Sequence, residues 1–198
     1  MKTSFKDWIY VKHNSLSKDF CKHVIDKFEN DPDRSAGCVD QNNPRVNEAV
    51  KITTETGITV SDSWKDEDKV LYDSLQLAVR EYNDYLRPLL RHPDCQVFNG
   101  YKTQDCGYKV QKYEPDGYYH WHHDWSMTDG WSRAYSFIWY LNTIKRKDLG
   151  YTEFIDGTKI QPKAGSILFF PATFTYVHRG YKTLVPKYII PAWIYTRP

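Results

Sequence analysis

The sequence is short of the features that would place it in several common protein classes. Its 198 residues hold four cysteines (Cys21, Cys38, Cys95 and Cys106) with no Cys-x-x-Cys pair and no metal-type spacing. A disulfide framework and a cysteine-based metal site are therefore not expected, and reduced thiols are. No apolar run approaches the roughly 18 residues that span a bilayer. The opening stretch "MKTSFKDWIYVKHNS" lacks the apolar centre of an export signal, so a cytoplasmic protein is expected. Charge of one sign is also lacking: 27 basic residues face 25 acidic ones, a net charge of +2. That balance argues against a nucleic-acid or membrane-surface partner. Only "KRK" (Lys145–Lys147) clusters, and a solvated turn explains it. Repeats and low-complexity tracts are missing too.

Aromatic side chains, in contrast, are abundant. They make up 16% of the chain, including 16 Tyr and 7 Trp, and such residues favour strands. Helical spacing is confined to the first half. In "SLSKDFCKHVIDKFEND", Leu16, Phe20, Val24 and Phe28 recur on one face. A longer pattern runs from Asp66 to about Leu90 through Val70, Leu71, Leu75, Leu77, Ala78, Tyr82 and Leu86, with Pro88 disrupting its end. "DWIYVK" (Asp7–Lys12) and "AVKITTETGITV" (Ala49–Val60) read as strands. After Pro93 come short strand-like runs: "GYKVQKYE", "YYHWHHDW", "RAYSFIWYLN", "TEFIDG", "TKIQP", "GSILFFPA", "TYVHRG" and "KYIIPAWIYT". Many short strands at even spacing indicate a sandwich or barrel. The expected fold is mainly β with N-terminal helices, the helical layer packed on a C-terminal double sheet.

The stretch Tyr113–Trp125, "YEPDGYYHWHHDW", concentrates metal-ligand chemistry: His120, His122, His123 and Asp124 fall within five residues. On a strand, His122 and Asp124 point to one face and His123 to the other. His-x-Asp is thus a natural two-ligand clip. His178, in "FPATFTYVHRG", lies where a neighbouring strand would add a third ligand. Two imidazoles and one carboxylate form the open-sided set that non-heme Fe(II) oxygenases use. His120 shares the face of His122 and stays an alternative ligand. Packing histidines in an aromatic strand are the ordinary alternative, and four ligand-type residues plus a distant His weigh against it. The same set suits zinc, which the residues around Lys187 argue against.

Lys187 opens the apolar run "KYIIPAWIY", where an unpaired ammonium would be costly. A side chain that merely precedes the strand and reaches solvent escapes that cost; a carboxylate partner also resolves it, and 2-oxoglutarate, the electron source for such iron centres, carries one at its far end. Tyr113 and Tyr140 are strand tyrosines placed to donate to the same carboxylate, though ordinary core packing suits either one alone.

These motifs, in this order, resemble the 2-oxoglutarate/Fe(II)-dependent dioxygenases, in particular their prolyl-4-hydroxylase-like branch. The resemblance covers Gly107 to Tyr195. "KYEPDGYYHWHHD" resembles the branch's tyrosine, glycine and His-x-Asp segment, and "YLN" the strand after it. "LGYTEF" resembles its Gly-Gly-x-Thr-x-Phe turn, "IQPKAGSILFFPA" the strand pair before the second histidine, "HRG" the histidine segment, and "KYIIPAWIY" the strand with the base and a tryptophan, Trp193. The resemblance implies a double-stranded β-helix (jelly-roll) core over residues 96–198, supported by residues 1–95, in one oxygenase domain spanning 1–198. It implies that His122, Asp124 and His178 bind Fe(2+). It implies, too, that Lys187, Tyr113 and Tyr140 hold 2-oxoglutarate, and that O2 is the cosubstrate, with ascorbate a further candidate.

Three positions depart from the branch pattern. Leu149 replaces the first glycine of the turn, Pro191 is expected to interrupt the last strand, and "DWSMTDGWSR" is short for a lid. Because Asp124 is retained, hydroxylation is expected rather than halogenation. The implied substrate is a prolyl residue in a peptide or protein. The alternatives are the same chemistry on another amino-acid side chain, a small molecule or a nucleobase, and a non-catalytic jelly-roll binding module.

Overall fold

Apolar runs such as "SFIWYL" and "ILFF" are continuous rather than alternating, which requires strands buried on both faces. The structure, a computed structural model describing residues 3–39, 44–91 and 101–198, accounts for this. Pro93, Cys95 and the boundary expected after residue 95 lie outside the described residues. In chain order the elements are β1 (Tyr10–Lys12), α1 (Lys18–Glu29), β2 (Ser35–Ala36), β3 (Cys38–Val39), β4 (Arg45–Val46), β5 (Thr54–Gly57) and α2 (Lys65–Leu90). Then follow β6 (Lys102–Asp105), β7 (Lys109–Tyr113), β8 (Tyr119–His122), β9 (Met127–Thr128), β10 (Trp131–Tyr140), β11 (Thr152–Phe154) and β12 (Lys159–Ile160). The chain closes with β13 (Ile167–Pro171), β14 (His178–Gly180) and β15 (Lys187–Arg197).

A nine-stranded antiparallel sheet runs β1-β13-β10-β15-β7-β5-β2, with β6 beside β15 and β9 beside β10. A smaller four-stranded sheet runs β12-β11-β14-β8. Successive strand side chains alternate between two cores. Phe137, Trp139, Phe169, Ile190 and Ile194 face the helices, meeting Val24 and Phe28 of α1 and Leu71, Leu75, Ala78, Tyr82 and Leu86 of α2. Ile138, Tyr140, Leu168, Phe170 and Ile189 face the other way and pack with Phe154 of β11 and Tyr176. The result is the expected jelly roll, with helices covering one face of its larger sheet.

The first half of the chain contributes more than helices. β1, β2 and β5 are strands of the major sheet, and β5 pairs β7 through Glu55 opposite Gln111. Of the strand expected over 49–60 only Thr54–Gly57 forms, and the start of "DWIYVK" is a 3₁₀ turn (Phe5–Trp8). α2 runs through Pro88 for two further residues, ending at Leu90. Val70 and Leu77 fall off its buried stripe and are exposed. Pro191 does not interrupt β15, contrary to expectation. Beside β15, β7 pairs as far as Ile189 and β6 begins only at Ile194, so Pro191 sits where that ladder has a gap. Cys21, Cys38 and Cys106 are free thiols. No helix among the described residues is long and apolar enough to cross a membrane.

Candidate active site

Antiparallel pairing of β8 with β14 sets His178 opposite His122, and their ring centroids lie 4.3 Å apart. Asp124 follows two residues after the end of β8. Its Oδ1 is 3.7 Å from His122 Nε2 and its Oδ2 is 3.7 Å from His178 Nε2. One ligand atom from each of the three lies within 4.8 Å of the others.

Both imidazoles are held in one tautomer. His122 Nδ1 is 2.8 Å from the His120 carbonyl and His178 Nδ1 is 3.0 Å from that of Tyr176. A carbonyl only accepts, so each Nδ1 carries a proton and each Nε2 is the nitrogen turned to Asp124. Burial, followed by the neighbouring His178, pushes His122 down to about 3. Burial alone would raise Asp124; His178, His122, the Ser136 hydroxyl and Arg133 outweigh it and hold the carboxyl below its ordinary range. A neutral His122 and an ionised Asp124 are protonation states that metal binding demands. The donor set therefore fits a divalent cation with positions left open for other ligands.

Strand alternation does not orient Asp124, because β8 stops at His122. Two residues from β10 do so instead. Ser136 Oγ donates to Asp124 Oδ2 at 2.6 Å, and Arg133 donates to the Asp124 carbonyl at 3.0 Å. Arg133 also donates to the Tyr195 hydroxyl and stacks 3.7 Å from the centre of the Trp193 ring. Tyr119 stacks on His122, with centroids 3.7 Å apart and planes 15° apart. His120 is exposed, and its Nδ1 accepts the Trp121 N–H. It stands outside the cluster. His123 is exposed as well but reaches the cavity wall. For Ser136→Ala, Fe(II) affinity is expected to fall about tenfold with the fold intact. Anaerobic metal titration beside circular dichroism measures this, and unchanged affinity would show that Asp124 needs no such support.

The three side chains open into a cavity of about 380 Å³. Lys187 lines it, fully buried, its Nζ 3.2 Å from the Gly150 carbonyl and 4.1 Å from the centre of the Tyr113 ring. The pairing of Lys187 with Tyr113 across β15 and β7 makes this contact. Leu149 has a positive φ of 61°, a conformation that favours glycine, as the chain turns to present the Gly150 carbonyl. No carboxylate among the described residues pairs with Lys187, and burial pushes its ammonium down to about 7. A carboxylate ligand would remove that cost. Tyr113 is buried on the same wall. Tyr140 is not a lining residue; its hydroxyl bonds that of Thr152 at 2.8 Å, and Thr152 lines the cavity.

Ser136, Arg133 and Thr152 were not singled out in the sequence. A lone serine inside the apolar run "AYSFIWYL" was the available signal for Ser136.

Residues 108–195 match the model of the 2OG-Fe(II) oxygenase superfamily. No curated protein matches the chain. Among solved structures, the fold is similar to a viral collagen prolyl hydroxylase from Paramecium bursaria Chlorella virus-1 in its 2OG complex. That match has TM-score 0.66 and 20% identity, covering 95% of this chain and 96% of that one. A prolyl hydroxylase from Trichoplax adhaerens, in complex with a hypoxia inducible factor oxygen degradation domain peptide fragment, matches with TM-score 0.75 and 18% identity, covering 96% and 84%. A Pseudomonas putida prolyl-4-hydroxylase gives TM-score 0.62 and 16% identity, covering 96% and 93%.

Proposed function

We propose that the chain is a dioxygenase of the 2OG-Fe(II) oxygenase superfamily, whose model residues 108–195 match, and that it uses Fe(II), 2-oxoglutarate and O2 to hydroxylate a peptidyl proline. The observation that carries this is the sharing of one cavity by the His122–Asp124–His178 cluster and the unpaired Lys187 ammonium. His122, Asp124 and His178 hold the metal. Lys187, with Tyr113 beside it, receives the distal carboxylate of 2-oxoglutarate. Tyr140 acts through Thr152, whose hydroxyl it fixes. When bound, Fe(II) would activate O2 with 2-oxoglutarate as the co-reductant, so that one oxygen atom enters the substrate C–H bond and the other enters succinate as CO2 is released. The protein's share is orientation of the three ligands and exclusion of water by Tyr119, Phe154 and Phe170 around them. The chain works as one oxygenase domain, since β1, β2 and β5 complete the sheet that carries Lys187.

A peptidyl substrate is supported by the neighbours, prolyl hydroxylases of which one holds a peptide. The test is incubation of the protein with Fe(II), 2-oxoglutarate, air and proline-containing peptides. Succinate release coupled to gain of one oxygen on proline is expected. Oxygen gained on another residue would move the substrate, and no peptide-stimulated succinate would remove peptides from the candidates.

A further inference from the structure

One charged cluster on the cavity wall has no part in holding the metal or 2-oxoglutarate. Lys51, Lys109 and Gln111 all line the cavity, and Glu55 stands behind them. Register explains the grouping: Glu55 on β5 lies opposite Gln111 on β7, and Lys109, two residues before Gln111, shares its face. Lys51 bonds Glu55 Oε1 directly, and Lys109 Nζ reaches Glu55 Oε2 at 2.9 Å. Two ammonium groups thus share one carboxylate. Lys51 and Glu55 are both buried, so solvent does little to screen the excess positive charge. Among the described residues, the other polar contact of Lys51 Nζ is the Cys38 carbonyl at 3.4 Å, which carries no net charge.

The cluster also lies close to the reacting centre. Lys51 Nζ is 5.3 Å from the centre of the Tyr119 ring, and that ring stacks 3.7 Å from His122. An extended peptide advances roughly 3.3 Å per residue, so a group held at Lys51 and Lys109 lies about two or three residues from a carbon presented to the metal. Asp124 is the acidic residue on this wall, and it is committed to the metal ligand set; Lys51, Lys109, Arg133 and Lys187 are the cations.

We propose that Lys51 and Lys109, bridged by Glu55, form a subsite for a substrate carboxylate, so that the enzyme selects proline flanked by an acidic group. This rests on the hydroxylase function proposed above and adds the charge of the substrate to it. The carboxylate is either an Asp or Glu side chain of the peptide or a free chain terminus. A purely structural ion cluster, tying β3 to β5 through the Cys38 carbonyl, would confer no such selection.

The experiment uses full-length protein loaded with Fe(II) and 2-oxoglutarate under anaerobic conditions. Fluorescent repeats of Pro-Ala-Glu, Pro-Ala-Gln and Pro-Ala-Lys are titrated against it, the Gln peptide both with a free C-terminus and as its amide. The Glu peptide is expected to bind about tenfold tighter than the amidated Gln peptide, as one charge-assisted contact provides, with the Lys peptide weakest. A gain confined to the free C-terminus would assign the subsite to a terminal carboxylate. In Lys109→Met the preference for Glu is expected to shrink towards one, whereas Lys109→Arg keeps it. In air, the preference should appear in KM rather than kcat for succinate release. Equal binding of the Glu and Gln peptides, or a preference unchanged in Lys109→Met, overturns the subsite. Tight Glu-peptide binding without succinate release would leave the subsite standing and remove proline as target. Succinate release blind to charge would do the reverse.

Discussion

His178→Ala is expected to reduce 2-oxoglutarate turnover to background, a loss of about a thousandfold or more, because the metal carries the chemistry the protein lacks. The imidazole is buried, its Nδ1 is committed to the Tyr176 carbonyl, and its Nε2 faces the carboxylate of Asp124. His120 is poorly placed to replace it, being exposed with a ring nitrogen already engaged by the Trp121 N–H. The fold should survive. Truncating a buried side chain here costs about 1–3 kcal/mol, against about 5–15 kcal/mol for a typical domain. Fe(II) titration, succinate release and thermal melting of the same preparation separate the outcomes. Loss of metal with a cooperative melt is the expected pair. Retained turnover would bring His120 or His123 into the ligand set, and His120→Ala is the control that should change little.

Lys187→Ala is expected to raise the 2-oxoglutarate requirement about a hundredfold, the scale of losing one partner of a buried charge pair. Binding also carries a pH signature. Free Lys187 titrates at about 7, and a bound dicarboxylate holds it protonated. Affinity should therefore be full below pH 7 and weaken about tenfold per pH unit above it, until the raised pKa of the complex is reached. In Lys187→Ala that slope disappears. The ligand-free protein shows the converse. The folded-state pKa of about 7 lies below the ordinary lysine value of 10.5, so between these limits the unfolded chain binds the extra proton. Stability then rises with pH across that window, and Lys187→Met should melt higher than the native protein at pH 7. An unchanged requirement for 2-oxoglutarate would move the cation role elsewhere. Lys182 is poorly placed for it, being exposed and near Asp116 at 3.5 Å, which leaves Lys51 and Lys109 on the cavity wall.

The candidate ligand triad was legible because its chemistry is local in type. Neutral imidazoles and a carboxylate in a His-x-Asp clip point to a cation, and an ammonium in an apolar strand requires an anion. Lys187 illustrates this well: "KYIIPAWIY" pointed to a partner for it, and among the described residues its ammonium meets only a carbonyl and a ring. What holds Asp124 was far less legible. The expected alternation along one strand gave way to support from β10, through Ser136 and Arg133. Tyr140 showed a similar limit. As a strand tyrosine it was a candidate cavity donor, and its hydroxyl is spent on Thr152.

Composition and periodicity alone pointed to the helical stripe, a strand-rich second half and a candidate set of metal ligands, since each depends on residue type at short spacing. Only the tertiary structure decided that β1, β2 and β5 complete the major sheet, that Pro191 rests in a ladder gap, and that Lys51 meets Lys109 across Glu55. Strand partners are chosen by backbone hydrogen bonds, which every residue but proline offers alike. The side chains therefore do not say in advance which distant segment will lie alongside.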